Sequence, residues 1–177
     1  MKALRGFSDA MTWVETGKRT YELHAGADVV AKMTWPKGFG SPGQGETADG
    51  KVTIERAGLL KPRVVLREDV GAPAGEADAP ASQRAPLISL EVDFGGRGVA
   101  RTRSEKTLNW VPGNMWRTQW GFEEGGKTLA TFESDSAMKF GHKVKVASSD
   151  APDLGALVLL GSAIGVFLTE DAAIFGI

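Results

Sequence analysis

The chain contains no cysteine, which excludes a disulfide framework, a thiolate metal site and a cysteine nucleophile. Histidine is scarce as well. Only His24 and His142 occur, each at the end of an alternating segment and without a second ligand at metal spacing, so both read as satisfied or solvent-facing side chains. No GxSxG elbow is present and the carboxylates are scattered, so no catalytic residue, metal or cofactor is expected. An excess of charge is missing too: 21 basic residues face 22 acidic ones, for a formal net charge of -1 at pH 7. No global field therefore attracts nucleic acid or an anionic membrane, and such binding needs a local patch. The opening residues MKALRGFSDAMTW lack the apolar stretch of a secretory signal, and the expectation is a cytoplasmic protein.

What the chain does contain is alternation. With 177 residues, 42% hydrophobic and 24% charged, it has material for one buried core, and a single domain over residues 1–177 is expected. Val29, Ala31, Met33 and Trp35 oppose Val30, Lys32 and Thr34, while Ile88, Leu90, Val92 and Phe94 oppose Ser89, Glu91 and Asp93. The same period of two runs through Met11–Glu15, Thr20–His24, Lys51–Glu55, Pro62–Glu68, Gly98–Arg103, Thr107–Val111, Trp116–Phe122, Thr128–Glu133 and His142–Val146. Turn signals at Gly17, Gly26, Asp49-Gly50, Gly95-Gly96, Pro112-Gly113-Asn114 and Gly125-Gly126 separate these segments, which predicts an antiparallel meander. Two stretches break the rhythm. Lys37–Gly50 reads as a glycine-rich loop, and Gly71–Ser82 (GAPAGEADAPAS) as a flexible, solvated one.

The period changes at the end of the chain. Leu154–Leu168, LGALVLLGSAIGVFL, is apolar or small on every side, so a helix here must be surrounded. At ~1.5 Å per residue the segment reaches about 22 Å, short of the roughly 30 Å hydrocarbon slab of a bilayer. Ser149, Asp150 and Asp153 supply capping oxygens, Pro152 a pre-set φ, and Thr169-Glu170-Asp171 reads as a stop, so the helix is expected over about 152–168. Gly161, Ser162 and Gly165 suit close packing in a narrow tunnel, although Gly161 and Gly165 also match the GxxxG pattern of paired membrane helices. The two halves of the sequence thus predict a mainly β fold, a closed antiparallel β-barrel around a hydrophobic C-terminal helix. Trp13, Trp35, Trp110, Trp116 and Trp120 occupy the apolar phase of their segments, as wedges between wall and helix rather than stacking platforms.

Two stretches imitate nucleotide motifs. Gly121 to Thr128, GFEEGGKT, satisfies the phosphate-loop expression, but alternating segments flank it and Glu123 with Glu124 would stand where phosphates must sit. Gly38 to Gly43 matches GxGxxG, but Pro42 and the following GQGETADG forbid an immediate helix. Both are read as turns or loops, and no nucleotide is expected. The remaining candidates are cations. Arg97, Arg101, Arg103 and Lys106 fall close together, and Lys139, Lys143 and Lys145 form a second group. Arg101 with Arg103, and Lys143 with Lys145, share a strand face from which they can meet an anionic headgroup, unless they are only a solvated outer surface.

The layout of many short strands followed by one greasy helix, with the segments YELHAGADVVAKMTW, WRTQWGFEEGGKTLATFES and DLGALVLLGSAIGVFL, resembles the tubby C-terminal-like superfamily, especially its phospholipid-scramblase-like and LURP-one-related branch. That resemblance implies a barrel of about twelve strands threaded by the helix, and phosphoinositide binding through basic side chains on the barrel. The expected function is a non-enzymatic binding or scaffold domain, with an anionic membrane surface as partner and peripheral residence there. A protein-interaction or structural domain is the alternative. A barrel carrier or enzyme ranks lower because it needs an empty interior, and scramblase activity lower still because it needs membrane insertion.

Overall fold

The structure, a computed structural model, describes residues 1–4, 10–57, 63–69, 85–93, 96–113, 118–134, 142–147, 151 and 153–175, the last five as backbone only. The loop expected at Gly71–Ser82, together with Phe94, Trp116, Lys139, Ser149, Asp150 and Pro152, lies outside the described residues. The alternating segments form strands β1 (Met11–Gly17), β2 (Thr20–Ala25), β3 (Asp28–Thr34), β4 (Gly43–Thr47), β5 (Gly50–Ala57), β6 (Arg63–Glu68), β7 (Ile88–Val92), β8 (Gly98–Thr102), β9 (Thr107–Pro112), β10 (Gln119–Glu124), β11 (Lys127–Ser134) and β12 (His142–Val146). Each pairs antiparallel with its neighbour in sequence, and β1 closes on β12 to complete a twelve-stranded barrel. Closure removes the free sheet edges that an open meander of this length would expose.

Strand β4 corrects the sequence reading, which took Lys37–Gly50 for a loop. Gly43, Gly45 and Thr47 point inward and are buried, while Gln44 and Glu46 face out, so the period of two is present with glycine in the apolar phase. A Cβ on Gly43 would come within 2.4 Å of the Trp35 indole, and one on Gly45 within 2.9 Å of Leu159 and Val52. The wall therefore needs no side chain here. The neighbouring indole and the helix fill the space instead, and hydrophobicity counts alone pass over such a strand. Elsewhere the turn signals hold. β10 and β11 meet at Gly125 and Gly126, whose φ values of 58° and 81° are the left-handed pair that a two-residue hairpin needs.

Helix α1 (Leu154–Phe175) runs through the barrel. It is buried from Leu154 to Phe167, and with inward side chains such as Trp13, Leu23, Trp35, Leu66, Trp110, Phe122 and Phe132 it forms one continuous core. At about 1.5–3 kcal/mol for each large apolar side chain taken from water, this burial is the main stabilising term of the fold. The small residues mark where the wall leans in. A Cβ on Gly161 would stand 2.4 Å from the Phe132 ring, and one on Gly165 1.9 Å from His142 Nε2. Ser162, a fully buried hydroxyl on the helix, accepts a 2.7 Å hydrogen bond from Trp13 Nε1.

The end of the helix is a second correction. Thr169-Glu170-Asp171 does not stop it, and the helix continues to Phe175. None of these residues is a breaker. Thr169 Oγ1 donates to the Gly165 carbonyl at 2.9 Å, so the hydroxyl is absorbed by the helix. At the other end Asp153 takes a left-handed φ of 57° and its carbonyl accepts from the Leu157 N–H at 2.9 Å, opening the first turn through its backbone. The helix begins beside the β4–β5 hairpin, with Gly155 against Asp49 and Thr47, and leaves the wall beside Trp35. These are called the near and far ends below. Among the described residues no helix is long and apolar enough to cross a membrane.

Two stability measurements follow. A chain ending at Asp153 should lose its cooperative thermal transition and near-ultraviolet circular dichroism and bind a hydrophobic dye, whereas a detachable anchor would leave a well-folded remainder. Gly161→Ala gains up to about 1 kcal/mol of helix propensity, yet the Phe132 contact should make the net change destabilising by about 1–3 kcal/mol in chemical denaturation.

Candidate functional site

A filled barrel places its contacts with other molecules on the outer wall and at the two mouths. Alternation sends Thr12, Glu22, Lys32, Gln44, Thr53, Arg101, Asn109, Glu133, Lys143 and Lys145 outward. This is the reverse of a transmembrane barrel, whose outer band is apolar. The four tryptophans of the described residues, Trp13, Trp35, Trp110 and Trp120, are all buried, and Trp110 stacks on Trp120 at 6.5 Å and tilts against Phe122 at 4.8 Å. No base or sugar reaches these faces.

The structure separates the sequence-predicted cations. Arg101 lies on β8, Arg97 just before it, and Arg103 and Lys106 in the β8–β9 turn; Lys143 and Lys145 lie on β12. Three strands stand between β8 and β12, so the two groups are about 19 Å apart around the wall at the usual ~4.8 Å strand spacing. That exceeds the roughly 10 Å Debye length at 0.1 M salt, and they act as separate patches. Within the first group the roles divide. Arg103 pairs with Glu68 at 2.9 Å and Lys106 with Glu124 at 3.3 Å, while Arg97 and Arg101 have no ion-pair partner among the described residues. Lys143 stands opposite Glu133 across the β11–β12 ladder, and Lys145 opposite Thr131.

Arg97 and Arg101 line the larger of the two prominent concavities of the described residues, an open groove of about 630 Å³ over β7–β10. Glu91, Asp93 and Glu123 line the same groove, with Asn109 and Val111 between them, so its character is mixed rather than basic. Asp93 Oδ1 accepts the Arg97 backbone N–H at 2.9 Å, which ties that carboxylate to the turn. The second concavity, about 300 Å³, lies at the near end beside Asp49, Asp153, Leu87 and Leu154. Among the described residues no group of three His, Asp or Glu side chains is arranged to hold a metal ion.

The two histidines lie in different surroundings, and His142 departs from the solvent-facing position that the sequence offered. His24 is half-buried with Nε2 3.4 Å from Glu22 Oε2. His142 is not solvent-facing; it lies inside the wall, 2% exposed, against Gly165 and edge-on to Trp120. Burial pushes its imidazole down from 6.5 to about 4. The phosphate-loop imitation GFEEGGKT is the β10–β11 hairpin, between antiparallel strands and without a helix to meet a phosphate. The GxGxxG imitation at Gly38 runs into β4. No protein-family model, no curated protein and no solved structure matches the chain.

His142 makes stability depend on acidity. Its folded value lies below the unfolded one, so the neutral ring stabilises the fold fully above about pH 6.5, and that contribution falls away as the pH drops toward 4. About 3 kcal/mol of unfolding free energy should be lost across this window, read from urea titrations at each pH, and His142→Gln should flatten the slope.

Proposed function

We propose that the chain is a non-enzymatic binding domain that meets an anionic lipid surface from outside its barrel. The observation that supports this reading is the filled interior. With α1 packed against Trp13, Leu66, Trp110 and Phe132, the tunnel has no room for the substrate or cargo that a barrel enzyme or carrier encloses. Recognition then falls to exterior side chains, and Arg97, Arg101 and Lys145 are cations with no carboxylate partner among the described residues. Arg103 and Lys106 contribute less, because each must leave Glu68 or Glu124 to meet a ligand. Guanidinium forks suit phosphate oxygens, and the tubby-like resemblance of the sequence points the same way.

A second reading, a protein partner, is favoured by the groove over β7–β10. It carries both signs of charge, and Val99 on its floor is 39% exposed. Co-sedimentation separates the two. The first reading expects binding to vesicles containing anionic phospholipid at ~0.1 M salt, little binding to neutral vesicles, and release as salt approaches 1 M, where screening shortens to about 3 Å. Indifference to anionic vesicles at low salt would remove it and leave the protein partner.

A further inference from the structure

The connections of the barrel sort the charged residues by end. Along the chain, the β1–β2, β3–β4, β5–β6 and β7–β8 connections all fall at the far end, where α1 emerges. They bring Lys18, Arg19, Lys37, Arg56, Arg63 and Arg97 to the rim of that mouth. Eight of the twelve strands take part, so these cations extend around about two thirds of the circumference.

The near end is built differently. Four of its cations are engaged, Lys2 with Asp28 at 2.8 Å, Lys51 with Glu46 at 3.9 Å, Arg103 with Glu68 and Lys106 with Glu124, while Lys127 at the start of β11 has no ion-pair partner among the described residues. Asp49, Asp69, Glu105 and Asp153 add further negative charge there. At the far rim Lys18, Arg19, Lys37, Arg63 and Arg97 have no ion-pair partner among the described residues. Two of the rim cations lie over aromatic rings, Arg19 5.7 Å from the centre of Phe39 and Arg56 5.3 Å from the centre of Phe167. Among the described residues the carboxylates at this end are Asp93, held by the Arg97 backbone, and Glu170 on the helix, with Glu15, Glu55, Glu91 and Glu133 a step down the wall. A protein whose overall charge is nearly zero is therefore polarised along the barrel axis.

Inside the ring of cations α1 emerges. Its burial ends at Phe167, and Leu168 is 39% exposed at the mouth, followed by the half-buried Thr169 and Glu170. Among the described aromatic residues at this end, the indole of Trp35 is only 1% exposed, and the half-buried Phe39 ring has Trp35 against it and the Arg19 guanidinium over it. A cationic rim around an exposed leucine is complementary to a plane that is anionic at its surface and apolar just beneath, as a phospholipid bilayer is.

From this we infer that the barrel docks end-on: the far mouth, with Lys18, Arg19, Lys37, Arg56, Arg63 and Arg97 around Leu168, is the face that rests on anionic lipid. The inference depends on the membrane reading above and corrects its geometry, since among the wall candidates only Arg97 belongs to this rim. The near end, with its excess of carboxylates, then points away from the membrane.

The test uses vesicles of phosphatidylcholine with and without phosphatidylserine at ~0.1 M salt, and three forms of the full chain. Lys18→Glu, Lys37→Glu and Arg63→Glu together should weaken binding to the anionic vesicles on the order of 100-fold. Arg101→Glu with Lys145→Glu, the reversal that docking through the wall makes the damaging one, should weaken it far less than the rim triple does, and Leu168→Asp should weaken it at high salt as well as low. All the charge reversals are at exposed positions, and thermal melts of each variant report that the fold is intact. If the unaltered chain binds anionic vesicles but loses them through the wall pair and not the rim triple, end-on docking is wrong while the membrane reading stands. If the unaltered chain ignores anionic vesicles, or takes up an RNA homopolymer in their place, both are wrong.

Discussion

The rest of the structure depends on the steric match between one featureless helix and the wall that encloses it. A helix without a polar side gains nothing from orienting itself toward water, so its position must come from shape. Gly161 receives Phe132, Gly165 receives His142, Gly45 on β4 receives Leu159, and Ser162 meets Trp13 through a hydrogen bond. These contacts set both the rotation of the helix and its depth. They also explain why glycine is tolerated inside a helix at a cost of up to about 1 kcal/mol each: the wall side chain that occupies the missing Cβ position returns more through contact.

A filled tunnel moves function outward, and the outside is not uniform. Surface ion pairs such as Arg103 with Glu68 contribute little to stability, commonly below about 1 kcal/mol, but they decide which cations are free to meet something else. Their concentration at the end where the helix begins, and the lack of an ion-pair partner among the described residues for Lys18, Arg19, Lys37, Arg63 and Arg97 where it emerges, divide a nearly neutral chain into two unlike poles. The two mouths also differ in backbone electrostatics. The C-terminal end of α1 carries partial negative charge and has no basic residue of its own in the last turn, so the rim cations face it from the barrel.

Much of the fold was legible because alternation and turn chemistry are local signals. Ile88 to Val92 against Ser89 and Glu91, or Gly125-Gly126 between two alternating runs, need no knowledge of the rest of the chain. Burial of the helix was legible from length and composition. What was not legible depended on partners distant in sequence. Gly43 and Gly45 look like loop glycines until Trp35, Val52 and Leu159 are placed against them. His142 looks like an ordinary strand-end imidazole until α1 covers it. Arg97, Arg101, Arg103 and Lys106 form one cluster in sequence, yet Glu68 and Glu124, brought in by β6 and β10, engage two of the four. The rim is scattered across four connections and has no linear signature at all.

The seam between the first and last strands is short: Met11 opposes Val144 and Thr12 opposes Lys143, whereas β1 pairs with β2 along most of its length. During synthesis β12 leaves the ribosome only after eleven other strands, and α1 follows it. Until then the cylinder is an open cradle with its greasy floor exposed and its first strand waiting for a mate, so the nascent chain is at its most vulnerable to aggregation just before completion, when chaperone protection matters most.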